Sequence, residues 1–257
     1  MPDDTLFKLA EQNKLHVPAV LEAQCVRMLK DPKSRALVDN FVAQWLNLRN
    51  LTAIQPDTGR FPTFNEELRD AMRKETELFV QGVIQEDRNI LELLDSKYTY
   101  LNDRLAQHYG IQGVEGHEFR RVSLTDSRRG GLITHASILT LTSNPTRTSP
   151  VKRGKWVLEQ ILGVPPPPPP PNVPELKEAN GKELTGTLKE RMEQHRKDPG
   201  CASCHARLDP MGFGLENYNA VGGWRDVEHP SAGRQDLPHR LHRDCPVIPR
   251  HRVQHVP

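Results

Sequence analysis

Asn65 to Gln85 reads NEELRDAMRKETELFVQGVIQ. Leu68, Met72, Glu75, Phe79 and Val83 recur in it at intervals of three or four residues, the period of one helical face. Four of these five are apolar, and Leu78, Val80 and Ile84 widen the stripe, so the spacing predicts a long amphipathic helix. Asn65 has the side chain of a good N-cap, and Glu66 and Glu67 sit where the helix dipole favours negative charge.

The same period runs outward in both directions. Upstream, Pro18 to Lys30 is expected to be a short helix with Val20, Leu21, Cys25, Met28 and Leu29 toward one side. In that pattern Cys25 reads as a buried small hydrophobe rather than a reactive thiol. Asp31 and Pro32 supply an N-cap and a first helical residue, after which Leu37, Phe41, Trp45 and Leu48 form an apolar stripe. Downstream, Leu91 to Gly110 reads as short helices around a turn, packed by Tyr98, Tyr100 and Tyr109, and Phe119 to Leu124 as a short extended segment. Gly130 and Gly131 break the chain before Leu132, Ile133, Ile138 and Leu139. Another helix is expected from Ser149 and Pro150, carrying Trp156, Val157, Leu158, Ile161 and Leu162 and ended by Gly163. The predicted fold class is all-α.

Composition narrows what such a chain can do. Of 257 residues 36% are hydrophobic, below the usual share of about 45–50%, and 22 are proline, which suits helical modules joined by polar linkers. No apolar run is long enough for a transmembrane helix. Met1-Pro2-Asp3-Asp4 is polar and acidic, unlike a signal peptide. The net charge of +2 resides in the last 31 residues, so the remainder is neutral and lacks the basic surface that a nucleic-acid partner requires. Pro165 to Pro171 is an unbroken proline run, read as a polyproline II spacer rather than a docking peptide. Leu184 to Arg196 is expected to be a charged helix. From Val227 to Pro257 the composition changes abruptly: five His, five Arg and five Pro, without Lys, Phe, Trp, Tyr or Met. That tail reads as disordered, as out-of-frame translation, or as a His-rich metal tract.

Between the proline run and the tail stands Cys201-Ala202-Ser203-Cys204-His205, the C-x-x-C-H spacing of covalent haem attachment. Two thiols at this spacing form thioethers to the vinyl groups of one porphyrin, and the following histidine is the proximal iron ligand. A thioredoxin-like dithiol, a structural zinc and a chance pair of thiols are the competing readings. The first requires a strand–helix frame absent from the pattern, and the second a fourth ligand. For the opposite axial position Met211 is the obvious thioether, only six residues beyond His205; Met192 and His195 are the upstream candidates. Arg147, Lys152 and Arg153 flank a helix start that reads as an anion site or a solvated cap. Asp209-Pro210 and Gly212-Phe213-Gly214 read as turns. Phe213, Leu215, Tyr218 and Trp224 are candidates either to cover the porphyrin or to form ordinary core.

Three blocks resemble the multidomain cytochrome-c-associated proteins of planctomycete type, whose modules are domains of unknown function. The first runs from Met1 to Gly110 and includes Phe41-Val42-Ala43-Gln44-Trp45-Leu46 and Lys97-Tyr98-Thr99-Tyr100-Leu101-Asn102. The second runs from Arg129-Gly130-Gly131-Leu132 through Pro150-Val151-Lys152-Arg153-Gly154-Lys155-Trp156 into the prolines. The third is Cys201 to Arg225, with Asp209-Pro210-Met211-Gly212-Phe213-Gly214-Leu215-Glu216-Asn217. Such proteins are longer, with an export signal and an upstream cytochrome-like module, so the resemblance implies that this chain is an internal-to-C-terminal fragment of a periplasmic or secreted protein. It implies haem c and a link to electron transfer or to breakdown of extracellular polymer; it implies no catalytic residues.

The expected organisation is a helical domain over 1–110, a helical block over 118–164, a proline-rich linker over 165–182, a small cytochrome-c-like segment over 183–226 and the tail over 227–257. The function read from the sequence is one-electron transfer through haem c held by Cys201, Cys204 and His205, with a redox protein or upstream cytochrome module as partner. The alternatives are a scaffold that binds extracellular polysaccharide and carries an accessory haem, and a peroxidase-like haem enzyme.

Overall fold

The computed structural model describes residues 2–168, 192, 199–228 and 239–240. The long helix predicted from its stripe is α4 (Glu66–Gln85); Asn65 caps it by accepting the Leu68 N–H at 2.9 Å. All five stripe residues are buried, Glu75 among them. Ahead of it lie α1 (Asp4–Glu11), α2 (Pro18–Lys30) and the short α3 (Ala43–Trp45). Asp31 caps the 3₁₀ turn Pro32–Ser34 by accepting the Lys33 N–H.

Two expectations about this region are corrected. Helix α2 occupies the predicted span but buries no residue, and Cys25 is exposed. The Leu37, Phe41, Trp45, Leu48 stripe holds at Trp45 and Leu48, which pack in the core, but is displaced over its first half. Residues Leu37–Val42 form a π-helix, whose wider i→i+5 turn rotates the inward positions by one residue. Val38 and Val42 are therefore buried, while Leu37 and Phe41 remain 40% and 58% exposed.

The chain after α4 is where the all-α expectation gives way to a mostly helical fold. Tyr98–Leu101 is a strand, β1, paired antiparallel with β2 (Arg120–Ser123), Tyr98 opposite Ser123 and Leu101 opposite Arg120. Aromatic and β-branched residues at 98–100 favour a pleated surface over a helix. Tyr100 enters a notch in α4 at Gly82, where a Cβ would meet its hydroxyl. The guanidinium of Arg121 stacks on Tyr98, 3.9 Å from its ring centroid. Helix α5 (Asp103–Tyr109) follows, capped by Asn102 and ended by Gly110 at φ +72°. A second short pair joins β3 (Val227–Glu228) to β4 (His239–Arg240).

The middle block completes the core begun by the first. Helix α6 (Ala136–Leu141) and α7 (Pro150–Trp156) bring Ile138 and Trp156 against Val42, Leu46, Leu48 and Phe79. Ser149 caps α7 by accepting the Lys152 N–H, with Pro150 first in the helix as expected. The chain continues as a π-helix over Val157–Ile161 before Gly163 turns it at φ +62°. Two indoles tie the blocks reciprocally: Trp45 donates to the Gln160 carbonyl at 2.6 Å and Trp156 to the Leu46 carbonyl at 3.3 Å. Beneath α4 a second cluster packs Leu68 and Met72 against Leu101, Leu105 and Ala136. Among the described residues no helix is long and apolar enough to cross a membrane.

Candidate functional site

The C-x-x-C-H sequence lies in one helix, α8 (Pro199–Phe213). Asp209-Pro210 and Gly212-Phe213-Gly214 are expected to make turns; Asp209 to Phe213 are helical instead, and the turn begins at Gly214. Pro210 lies inside α8, near its C-terminal end. Its ring fixes a helix-compatible φ, but it removes the hydrogen bond that would have been donated back to residue 206 and crowds that residue's carbonyl. Gly212 is needed for a different reason than a turn. A Cβ there would strike the Pro150 carbonyl, and one at Gly154 would strike the Leu208 carbonyl. Helices α7 and α8 thus cross backbone to backbone, each supplying a glycine where the other's carbonyl approaches.

Arg153, beside that crossing, is fully buried. Its guanidinium donates to the carbonyls of Leu215 (2.6 Å), Tyr218 (3.1 Å) and Asn219 (2.9 Å), and to Glu216 Oε1 at 3.0 Å. Glu216 also accepts from the Thr148 hydroxyl at 2.6 Å and from Arg225 at 3.1 Å. Burial lowers the Arg153 pKa to about 10, with the Glu216 carboxylate opposing, so Arg153 stays charged at neutral pH. The anion site considered at this helix start is accordingly ruled out for Arg153: its charge is neutralised from within. Leu215 and Tyr218 join Leu139 in a third apolar cluster, with Trp224 edge-on to Tyr218 at 5.3 Å. Leu215 and Tyr218 are buried in this cluster, and Trp224 packs partly buried against it. Arg129 donates to the Gly222 carbonyl, and His108 hydrogen-bonds the Val221 carbonyl at 2.7 Å, so 215–225 is stapled to both earlier blocks.

His205 is partly buried, and its Nδ1 lies 2.9 Å from Oδ1 of Asp209, one turn further along α8. The side chains of Cys201 and Cys204 lie outside the described residues, although both positions are helical. Met211 is half-buried on the same continuous helix. Met192 is helical and buried; His195, the proline run from residue 169 and the charged helix expected over 184–196 otherwise lie outside the described residues, as does most of the tail. Asp209 was missed as a partner because Asp-Pro reads as a turn. The signal was present in the four-residue interval from His205, which stacks two side chains on one helical face.

A second polar cluster lies under α4. The Glu75 carboxylate, wholly buried, accepts from the hydroxyls of Thr99 (2.6 Å) and Tyr109 (2.5 Å). Thr76 links His135 Nδ1 (3.0 Å) to Ser137 (2.7 Å). Arg129 lies over the Tyr109 ring, 3.5 Å from its centroid. Gly130, Gly131 and His135 line a narrow crevice at Glu75. Burial pushes the Glu75 pKa up to about 7, against the pull of the two hydroxyls. An acid whose folded pKa is raised stabilises the fold fully below its unfolded value, about 4.5, and loses that contribution as pH rises through 7. Relative to Glu75→Gln, the wild type should therefore lose about 2–3 kcal/mol of stability between pH 5 and 8, at ~1.36 kcal/mol per pKa unit. Urea titrations of both proteins across that range test this; parallel pH profiles would contradict it. Buried His135 and His108, lowered to about 3 and about 4 chiefly by desolvation, act in the opposite sense, losing their contribution as pH falls below 6.5. Both are present in the two proteins and cancel in the difference.

Comparison with known proteins adds two matches. Residues 1–111 match the family model described as PSD4, a protein of unknown function (DUF1592). Residues 129–228 match that described as PSCyt3, a protein of unknown function (DUF1588), which extends from Arg129 through the Arg153 hub and α8. No curated protein and no solved structure matches the chain. The sequence resemblance and the two matches coincide: residues 1–111 and 129–228 are similar to PSD4 and PSCyt3, planctomycete-type, cytochrome-associated domain families.

Proposed function

We propose that α8 holds a haem c and that the protein transfers single electrons to or from a redox partner outside the cytoplasm, as part of a larger exported assembly. The observation that carries this reading is the His205–Asp209 hydrogen bond. A carboxylate that accepts from Nδ1–H leaves the Nε2 lone pair free, the tautomer that an iron ligand requires. The residue types present fit the group. Positions 201, 204 and 205 fall on consecutive turns along one side of a single helix, so the two thioether anchors and the proximal ligand belong to one rigid element.

When bound, the haem supplies one-electron chemistry by cycling between ferric and ferrous iron. The protein's part is positional. Cys201 and Cys204 anchor, His205 ligates, and the glycine crossing together with Arg153 fixes α8 on the core. Met211 lies about 9 Å along the same helix from His205, at 1.5 Å per residue. For Met211 to hold the same iron as His205, α8 would have to open between the two residues.

Export of the chain alongside a cytochrome c maturation system tests the reading. The purified protein should retain haem after acid–acetone extraction and stain for haem on a denaturing gel. Cys201→Ser/Cys204→Ser should abolish that stain. An exported, folded wild-type protein that carries no covalent pigment would overturn the proposal and leave a scaffold that binds extracellular polymer.

A further inference from the structure

Asp209 sits where it can govern the electronic character of the iron ligand as well as its orientation. Its side chain is 1% exposed, that of His205 is 14% exposed, and they meet at 2.9 Å. The backbone that carries it is held on both sides: Leu208 lies against Gly154 and Gly212 against Pro150, so the turn of α8 that carries Asp209 is locked to α7. A buried, fixed carboxylate facing Nδ1–H draws that proton toward itself and makes the imidazole a stronger electron donor at Nε2. A more basic axial ligand favours ferric over ferrous iron. We infer that Asp209 is a positioning and tuning residue that holds the reduction potential of a haem ligated by His205 below that of a site with a neutral hydrogen-bond partner. This inference rests on the haem reading above.

The test uses the full chain, matured with haem, as wild type, Asp209→Asn and Asp209→Glu. Asparagine keeps the shape of the acceptor but removes its charge. In that variant the ferrous-to-ferric ratio at a fixed solution potential should rise at least tenfold, equivalent to 59 mV for a one-electron couple. The iron–histidine stretching band of the ferrous five-coordinate form should fall in frequency, and Asp209→Glu should restore both values toward wild type. Equal haem content with unchanged potential and unchanged band in Asp209→Asn would overturn the inference while leaving haem attachment intact. A wild type without covalent haem would remove both together, and the missing pigment tells that failure apart. Should the variants not fold, ¹⁵N NMR of the wild-type chain before haem loading decides: protonation at Nδ1 of His205 supports the inference, and protonation at Nε2 overturns it.

Discussion

Arg153→Met should lower the unfolding free energy by about 3–5 kcal/mol, the usual cost of removing one member of a buried ion pair. Methionine fills the same channel without the charge, so the loss is polar rather than steric. The carbonyls of Leu215, Tyr218 and Asn219 each lose a guanidinium donor, in a region where burial excludes compensating water. Glu216 keeps Arg225 and Thr148 but loses its best-buried counter-charge. Arg153→Lys should recover little, because one ammonium cannot reach the fan of carbonyls that a planar guanidinium spans. Urea denaturation followed by tryptophan fluorescence measures both, and the lost stability should appear as a lower midpoint at similar slope. A change below about 1 kcal/mol would mean that Arg153 is solvated rather than a structural hub.

Gly154→Ala and Gly212→Ala should each cost about 3 kcal/mol, at the upper end of overpacking effects. The reason is geometric: the obstacle in each case is a backbone carbonyl of the facing helix, which no rotamer change can move aside. Relief requires α7 and α8 to separate, so residues 199–225 should become susceptible to limited proteolysis while α4 retains its amide protection. Gly163→Ala is the control. That glycine has φ +62° with no atom near a built Cβ, so alanine there meets only the left-handed backbone penalty of about 1–2 kcal/mol. Equal effects at all three positions would show that the crossing is not close-packed.

Several local features were legible before any coordinates. Asn65, Asp31 and Ser149 cap where their side chains and neighbours predicted, because an N-cap needs only an oxygen within reach of amides two or three residues on. The Leu68–Val83 stripe is buried throughout, because a regular helix of that length keeps its phase. Phase was lost where regularity was: over Leu37–Val42 the π turn moves the inward positions by one residue, and the period of 3.6 selects the wrong side chains. The Tyr98–Leu101 strand escaped notice because its pairing partner lies beyond α5, out of range of any local window.

Near its chemistry this chain writes its ligands in order, Cys201, Cys204 and His205, because covalent attachment demands a fixed interval along one backbone. The partners that hold those ligands in place are another matter. Arg153 and Glu216 are 63 residues apart, and Gly154 matters only because Leu208 comes to rest on it. Charge and smallness at such positions look like surface and linker until a distant helix arrives to bury them. Neighbouring residues specify helix, cap and motif through forces that act over a turn or two. The hub, the crossing and the sheet arise from contacts that exist once the chain has folded back on itself.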